Sequence, residues 1–323
     1  MCTSISYTTK DHYFGRNLDM ECSFGEKIII TPKNYPFKFK HLRENNEHFA
    51  MIGIGITKDD YPLYYEATNE KGLSMAGLSF KTSAVYNDFD IDKENVCVFE
   101  LIPYILGNCS TVDDARERLE IINIVSTPFN EELQTAELHW MISDRDYSIT
   151  VECVQDGLKI YYNPVHVLTN NPEFPMQMFN LNNYMSLTRE EPETRFAEGF
   201  DFNKYSRGMG AIGLPGDLSS MSRFVRAAFT RLNSVCGDTE NDSISQFFHI
   251  LQSVSQSNGC ARAGDTFEKT IYSSCCNTDK GIFYYTTYHN NQISAIDIHR
   301  ENLDNNQLII YNLINEQNIN FHN

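Results

Sequence analysis

The chain has 323 residues, 41 % hydrophobic and 12 % aromatic, with 26 basic and 43 acidic side chains and a formal charge of −17. That length buries a sizeable core, and the acidic balance excludes nucleic acid as a partner, because phosphate binding needs a net basic surface. No apolar run approaches the ~20 residues that span a bilayer, and the opening MCTSISYTTKDHYFGR has no hydrophobic stretch of the kind a secretory signal carries.

The first third reads as strands. Residues 2–7 and 13–18 are β-prone around a Lys10-Asp11 turn, which predicts a hairpin. An apolar run over 27–31 stops at Pro32, and 49–56 (FAMIGIGI), 63–67 and 73–80 (LSMAGLSF) continue the pattern. The polar stretch 81–95 predicts a long loop, a common form for the wall of a site. Two helices follow: 98–106, apolar at helical spacing, and 113–123 (DDARERLEIIN), capped by Ser110 or Thr111 with acids in its first turn. Strands are predicted over 138–143, 148–154, 158–162 and 165–169, the last stopping at Asn170-Asn171-Pro172 because proline ends sheet pairing.

Residues 174–187 read as helical. The glycine-rich SRGMGAIGLPGD (206–217) lacks the GK[ST] of a phosphate loop and reads as a tight backbone leading into an amphipathic helix, SRFVRAAFTRLNSV, with Ser219 and Ser220 as candidate caps. Another helix is predicted over 244–254. Strands return in TIYSSCC, IFYYTTY and QISAIDI, joined by TDKG and NN turns, with a last strand over 308–312. Hairpin turns dominate over βαβ spacing. The expected fold class is therefore α+β, antiparallel sheets flanked by helices, in one domain spanning 1–323.

Nine cysteines are scattered at 2, 22, 97, 109, 153, 236, 260, 275 and 276, with no paired CxxC units at zinc spacing. Reduced thiols in a cytoplasm are the expectation. Cys275 and Cys276 read as strand residues facing opposite sides rather than as a redox pair.

Cys2 directly follows Met1. With Met1 removed, one residue carries a thiol and a free α-amine, whose ordinary pKa values of about 8.5 and about 7.7–8.0 permit proton transfer between them near neutral pH. That is a nucleophile with its own base. Such a group needs a tuning charge and an oxyanion hole. Arg16 and Asp19 carry opposite charges in the otherwise apolar second strand. Two readings fit: a strand-end salt bridge, or a division of labour in which Asp19 holds the α-ammonium and Arg16 favours the thiolate.

The segments MCTSISY, YFGRNLD, NEKGLSMAGLSF, LHWMISD, SITVE, VLTNNP, GLPGDLSSMSRF and TIYSSC…GIFYYTTY resemble the choloylglycine hydrolases, the family of bile salt hydrolases and penicillin V acylases. The resemblance runs over nearly the whole chain. It implies an N-terminal nucleophile hydrolase, a four-layer αββα sandwich of two antiparallel sheets. It places the nucleophile at Cys2, the active-site arginine and aspartate at Arg16 and Asp19, the asparagine of the LTN motif at Asn170 and the arginine of the SRF motif at Arg223. The family asparagine of the AGLNF segment falls on Ser79, a departure, and Lys81-Thr82-Ser83 replaces the usual glycine-containing segment.

On this resemblance the Cys2 thiolate attacks an amide carbonyl. Asn170 and a backbone N–H near Ser79 hold the oxyanion, and water hydrolyses the thioester. No metal or cofactor is required, and His139 is expected to be a buried structural residue. The implied substrate is a glycine- or taurine-conjugated bile salt, with penicillin V as the alternative. Met20, Phe24, Tyr61, Phe129 and Leu133 are the candidates for an apolar cleft. A homotetramer is implied, with no membrane partner. Retained Met1 would block the amine and leave a non-catalytic paralogue that binds bile acids or acyl amides. Ser79 predicts reduced or altered activity with the fold intact.

Overall fold

The computed structural model describes all of residues 1–323. The chain opens with β1 (Cys2–Thr8), β2 (His12–Met20), β3 (Lys27–Thr31), β4 (Met51–Lys58), β5 (Tyr61–Asn69) and β6 (Ser74–Ser79). β7 (Glu94–Cys97) leads through a 3-10 turn into α1 (Leu101–Asn108), and α2 (Val112–Ile121) runs straight into β8 (Ile122–Val125). β9 (Leu138–Ser143), β10 (Ser148–Val154), β11 (Gly157–Tyr162) and β12 (Val167–Leu168) precede α3 (Phe174–Asn180), α4 (Ser220–Asn233) and α5 (Glu240–Gln252). β13 (Ala261–Ala263), β14 (Thr266–Asn277), β15 (Ile282–Thr287), β16 (Asn290–Asp297) and β17 (Ile309–Asn312) complete the chain.

One antiparallel sheet has the order β12-β1-β2-β14-β15-β16, with β13 hairpinned onto β14. The other has the order β11-β10-β9-β6-β5-β4-β3-β17. Helices α4 and α5 pack on the first sheet and α1 on the second, while β1 and β2 face β6 across the middle. The layers are therefore helix, sheet, sheet, helix. No helix is long and apolar enough to cross a membrane.

The period-2 alternation of β2 shows how this layering builds a site. Tyr13 packs on Phe247 of α5, and Asn17 donates its side-chain amide to the Leu251 carbonyl, also on α5. Arg16 points the other way, donating to the carbonyls of Tyr65 and Gly77 in the opposite sheet. Gly15 is required beside it: a Cβ there would lie 2.0 Å from the Ser274 carbonyl oxygen of β14. A side chain at 15 would push β14 off the strand that carries Arg16.

Several predicted boundaries moved. Ile122–Val125 leaves α2 as a strand because its β-branched residues pair in parallel with β7, apart from both sheets. Helix α5 starts at Glu240, four residues before the predicted start, because Thr239 and Asp242 form a capping box that its polar first turn concealed. The strand predicted over 165–169 shrinks to Val167–Leu168, and helix 174–187 ends at Asn180 before a 3-10 turn.

Candidate active site

Cys2 begins β1, opposite Leu18 of β2, and is 5 % exposed. It lines a cavity of about 350 Å³ between the sheets, whose wall is made mostly of hydrophobic side chains. The Cys2 N–H donates to Asn170 Oδ1 at 2.9 Å. Its carbonyl accepts from Arg223 Nη1 at 2.6 Å. The Met1 ammonium donates to the Asp19 carbonyl at 2.7 Å and to Glu268 Oε1 at 2.6 Å. The Cys2 backbone nitrogen is thus held by a side chain, that of Asn170.

Arg16 and Asp19 do not pair with each other. An offset of three places them on opposite faces of β2. Arg16 lies 3.8 Å from Glu66 Oε2. Its Nη1 donates to the Tyr65 and Gly77 carbonyls at 3.1 and 2.6 Å, its Nε donates to the Asn17 carbonyl at 3.5 Å, and Nη2 donates to no protein group. Arg16 also lines the cavity. Asp19 instead meets Arg223 Nη1 at 3.9 Å. Asp19 Oδ1 accepts from the Thr270 hydroxyl at 2.6 Å, while Oδ2 has no hydrogen-bond partner. Burial raises the Asp19 pKa, and Arg223 and Thr270 oppose that shift without cancelling it. Burial raises the Glu66 pKa to about 7 against the pull of Arg16 and Tyr272.

Arg223 comes from the first turn of α4, at the end of the glycine-rich loop. It is fully buried and spends its fork on four acceptors: Leu218 O, Cys2 O, Thr3 Oγ1 and Asn170 Oδ1. Asn170 is placed by the chain that leaves β12. Its N–H donates to Ser220 Oγ, its carbonyl accepts from Gln177 Nε2, and its own Nδ2 donates to the Ser79 carbonyl at 2.8 Å. The Phe80 N–H bonds to the Glu137 carbonyl. Strand alternation therefore turns the Ser79 N–H and C=O to the other side, where Asn170 stands.

The cavity wall contains Ser79, Met20, Phe24, Phe129 and Leu133, but not Tyr61. Tyr61 is buried behind the wall, its ring against Phe99, Phe129 and Phe37; it sits on a core-facing position of β5. Asn170 and Arg223 hydrogen-bond directly to the Cys2 backbone. The Lys81-Thr82-Ser83 departure is tied down by Asn171, whose Nδ2 donates to Lys81 O and Ser83 Oγ. His139 is buried away from Cys2, between Glu152 Oε1 and the Thr169 carbonyl. No group of three or more His, Cys, Asp or Glu side chains is arranged to hold a metal ion.

Sequence reasoning missed the supporting residues Glu66, Gln177, Ser220, Glu268 and Thr270. Only Ser220 left a signal: two serines stood where one cap was needed. Ser219 caps α4 and Ser220 holds Asn170.

Residues 2–311 match the family model described as linear amide C–N hydrolases, choloylglycine hydrolase family. The chain is 51 % identical over 317 residues to a bile salt hydrolase/transferase of Lactiplantibacillus plantarum, with 98 % of each chain covered. It is 40 % identical to a bile salt hydrolase/transferase of Clostridium perfringens, with 96 % of each covered. The crystal structure of the C2A mutant of the conjugated bile acid hydrolase from Clostridium perfringens superposes with a TM-score of 0.92 at 38 % identity, covering all of both chains. A penicillin V acylase from Agrobacterium tumefaciens shares the fold, with a TM-score of 0.76 at 20 % identity over 96 % of this chain and 90 % of that one. With its two facing antiparallel sheets and a match of this length, the chain belongs to the choloylglycine hydrolase family of linear amide C–N hydrolases.

Proposed function

We propose that this enzyme hydrolyses the amide bond of glycine- or taurine-conjugated bile salts, with Cys2 as an N-terminal nucleophile. The observation that carries the reading is the meeting of Cys2, Arg16, Ser79 and an apolar cavity of about 350 Å³. A steroid body fits such a wall, and Arg16 Nη2 is a donor left open for a polar substrate group. The curated relatives named as bile salt hydrolases support the substrate class.

Once Met1 is removed, the Cys2 amine takes the thiol proton. The thiolate adds to the amide carbonyl. The Ser79 N–H and the second Nδ2 hydrogen of Asn170 stabilise the oxyanion. The amine then protonates the leaving nitrogen, releasing the amino acid, and water cleaves the thioester to free the bile acid and the thiol. Asp19 Oδ2, which lacks a hydrogen-bond partner, is the acceptor for the ammonium. Arg223 is a positioning residue, acting through the Cys2 carbonyl and Asn170.

The enzyme works as one domain, since both sheets join strands from the two ends of the chain. It works as a homotetramer: Phe196, Phe200, Phe202 and Tyr205 are all more than half exposed, a patch that suits burial between copies. Nine free cysteines suit a reducing cytoplasm. The test is a hydrolysis panel of glyco- and tauro-conjugates beside penicillin V, with Cys2→Ala as control and intact mass to follow Met1. Release of glycine or taurine by the form lacking Met1, and none by Cys2→Ala, is expected. Uniform retention of Met1 sinks the enzyme reading in favour of a binding paralogue, and faster cleavage of penicillin V overturns the substrate. Light scattering reads the oligomer.

A further inference from the structure

Glu66 on β5 is a buried carboxylate that the mechanism above does not use. It lies between the sheets, 1 % exposed, with Oε2 3.8 Å from Arg16 Nη1 and 2.6 Å from the donating Tyr272 hydroxyl. Its Oε1 has no hydrogen-bond partner. Arg16 is the one cation that faces it. From β14 it meets Tyr272 and the Ser274 hydroxyl, from the segment before β3 it feels Glu26, and Tyr65 is its neighbour on β5. Cys2, from β1, lines the same cavity as Arg16.

Two acidic groups therefore share one arginine. A carboxylate at Glu66 neutralises part of the charge Arg16 offers to the thiolate; a protonated Glu66 leaves that charge to Cys2. We propose that Glu66 is a positioning residue that sets, as pH changes, how much of the Arg16 charge reaches the Cys2 sulfur, so that the nucleophile is favoured on the acidic side of neutrality. This rests on Cys2 being the nucleophile. Burial places the Glu66 titration at about 7, inside the range where the enzyme would feel it.

The test compares parent, Glu66→Gln and Tyr272→Phe, each lacking Met1 by intact mass, in iodoacetamide alkylation followed at the Cys2 peptide by mass spectrometry. Glutamine keeps the shape and removes the charge. At pH 5.5 the Glu66→Gln and parent rates are expected to agree within twofold. At pH 8 the variant is expected to react about three- to tenfold faster, the size of removing one charge near a partly buried ion pair. Tyr272→Phe, which strips the carboxylate of its donor, moves the same way by less, and it carries the test should Glu66→Gln fail to fold. A rate ratio that stays level from pH 5.5 to 8 overturns the proposal; so does a slower variant at pH 8. Alkylation no faster at Cys2 than at the exposed Cys22 and Cys260 overturns the nucleophile reading itself, a distinct result.

Discussion

Replacing Arg223 by methionine tests the centre of the site. The substitution keeps the aliphatic stem and removes the guanidinium that is 3.9 Å from Asp19 and bonded to Cys2 O, Thr3 Oγ1 and Asn170 Oδ1. A pair at about 4 Å is worth about 4 kcal/mol at an effective dielectric constant near 20. Breaking a buried pair by removing one partner costs about 3–5 kcal/mol. Asp19 suits that range, because Arg223 is its one side-chain ion-pair partner and no hydrogen bond reaches Oδ2. A loss of about 4 kcal/mol in urea unfolding at pH 8 is expected. Because burial raises the folded-state pKa of Asp19, its protonated form favours the fold below the ordinary carboxyl range, and that stability is lost as pH rises through the folded value. Without Arg223 the folded value rises further, so the variant's deficit shrinks at pH 4.5. Adding Asp19→Asn at pH 8 removes the unpaired charge and should restore at least about 1 kcal/mol. A single-variant loss below about 1 kcal/mol, or an additive double variant with the same deficit at both pH values, would refute the account.

Three further outcomes follow from the geometry. Ser79→Asn adds a side-chain donor beside the carbonyl of the scissile amide, and initial rates on a glycine- or taurine-conjugated bile salt should rise by about tenfold; a variant no faster than the parent removes Ser79 as the weak point. Phe129→Ala opens the wall where Phe129 meets Phe99 edge to face, and should raise KM about tenfold with a smaller change in kcat, since it loses apolar contact rather than transition-state contact. Burial lowers the pKa of His12 to about 3 and of His166 to about 4. Their neutral rings stabilise the fold above the ordinary value of about 6.5, and that stability is lost as pH falls towards 4 and 3. His12→Gln should therefore flatten the acid limb of a pH–stability curve below pH 6.5, and an unchanged limb assigns it elsewhere.

The strands were legible because alternation survives in the sequence: β3 was read to the residue, and the helix after SSMSRF followed from its apolar stripe and its caps. The candidate site residues Cys2, Arg16, Asp19, Asn170 and Arg223 stood out in the sequence as residue types in recognisable motifs. Their partners were not. Arg16 reads as the mate of Asp19 on spacing alone, yet alternation separates them, and the true partners Glu66 and Arg223 lie 50 and 204 positions further along. Tyr61 and Phe129 look equivalent in sequence, and only packing decides which one reaches the cavity. Gln177 is a polar residue in a short helix until the structure brings Asn170 and Asn171 to its amide.

Strand β2 lies between β1 and β14. Residues 12–20 can therefore finish pairing only when residues 266–277 arrive, and Thr270, which holds Asp19, arrives with them. Closing a loop of that length is slow compared with forming a local hairpin. A refolding chain would regain its hairpins and helices well before it regained turnover. During synthesis Cys2, paired with Leu18 of β2, would reach its final surroundings only after residues 266–277 had been made.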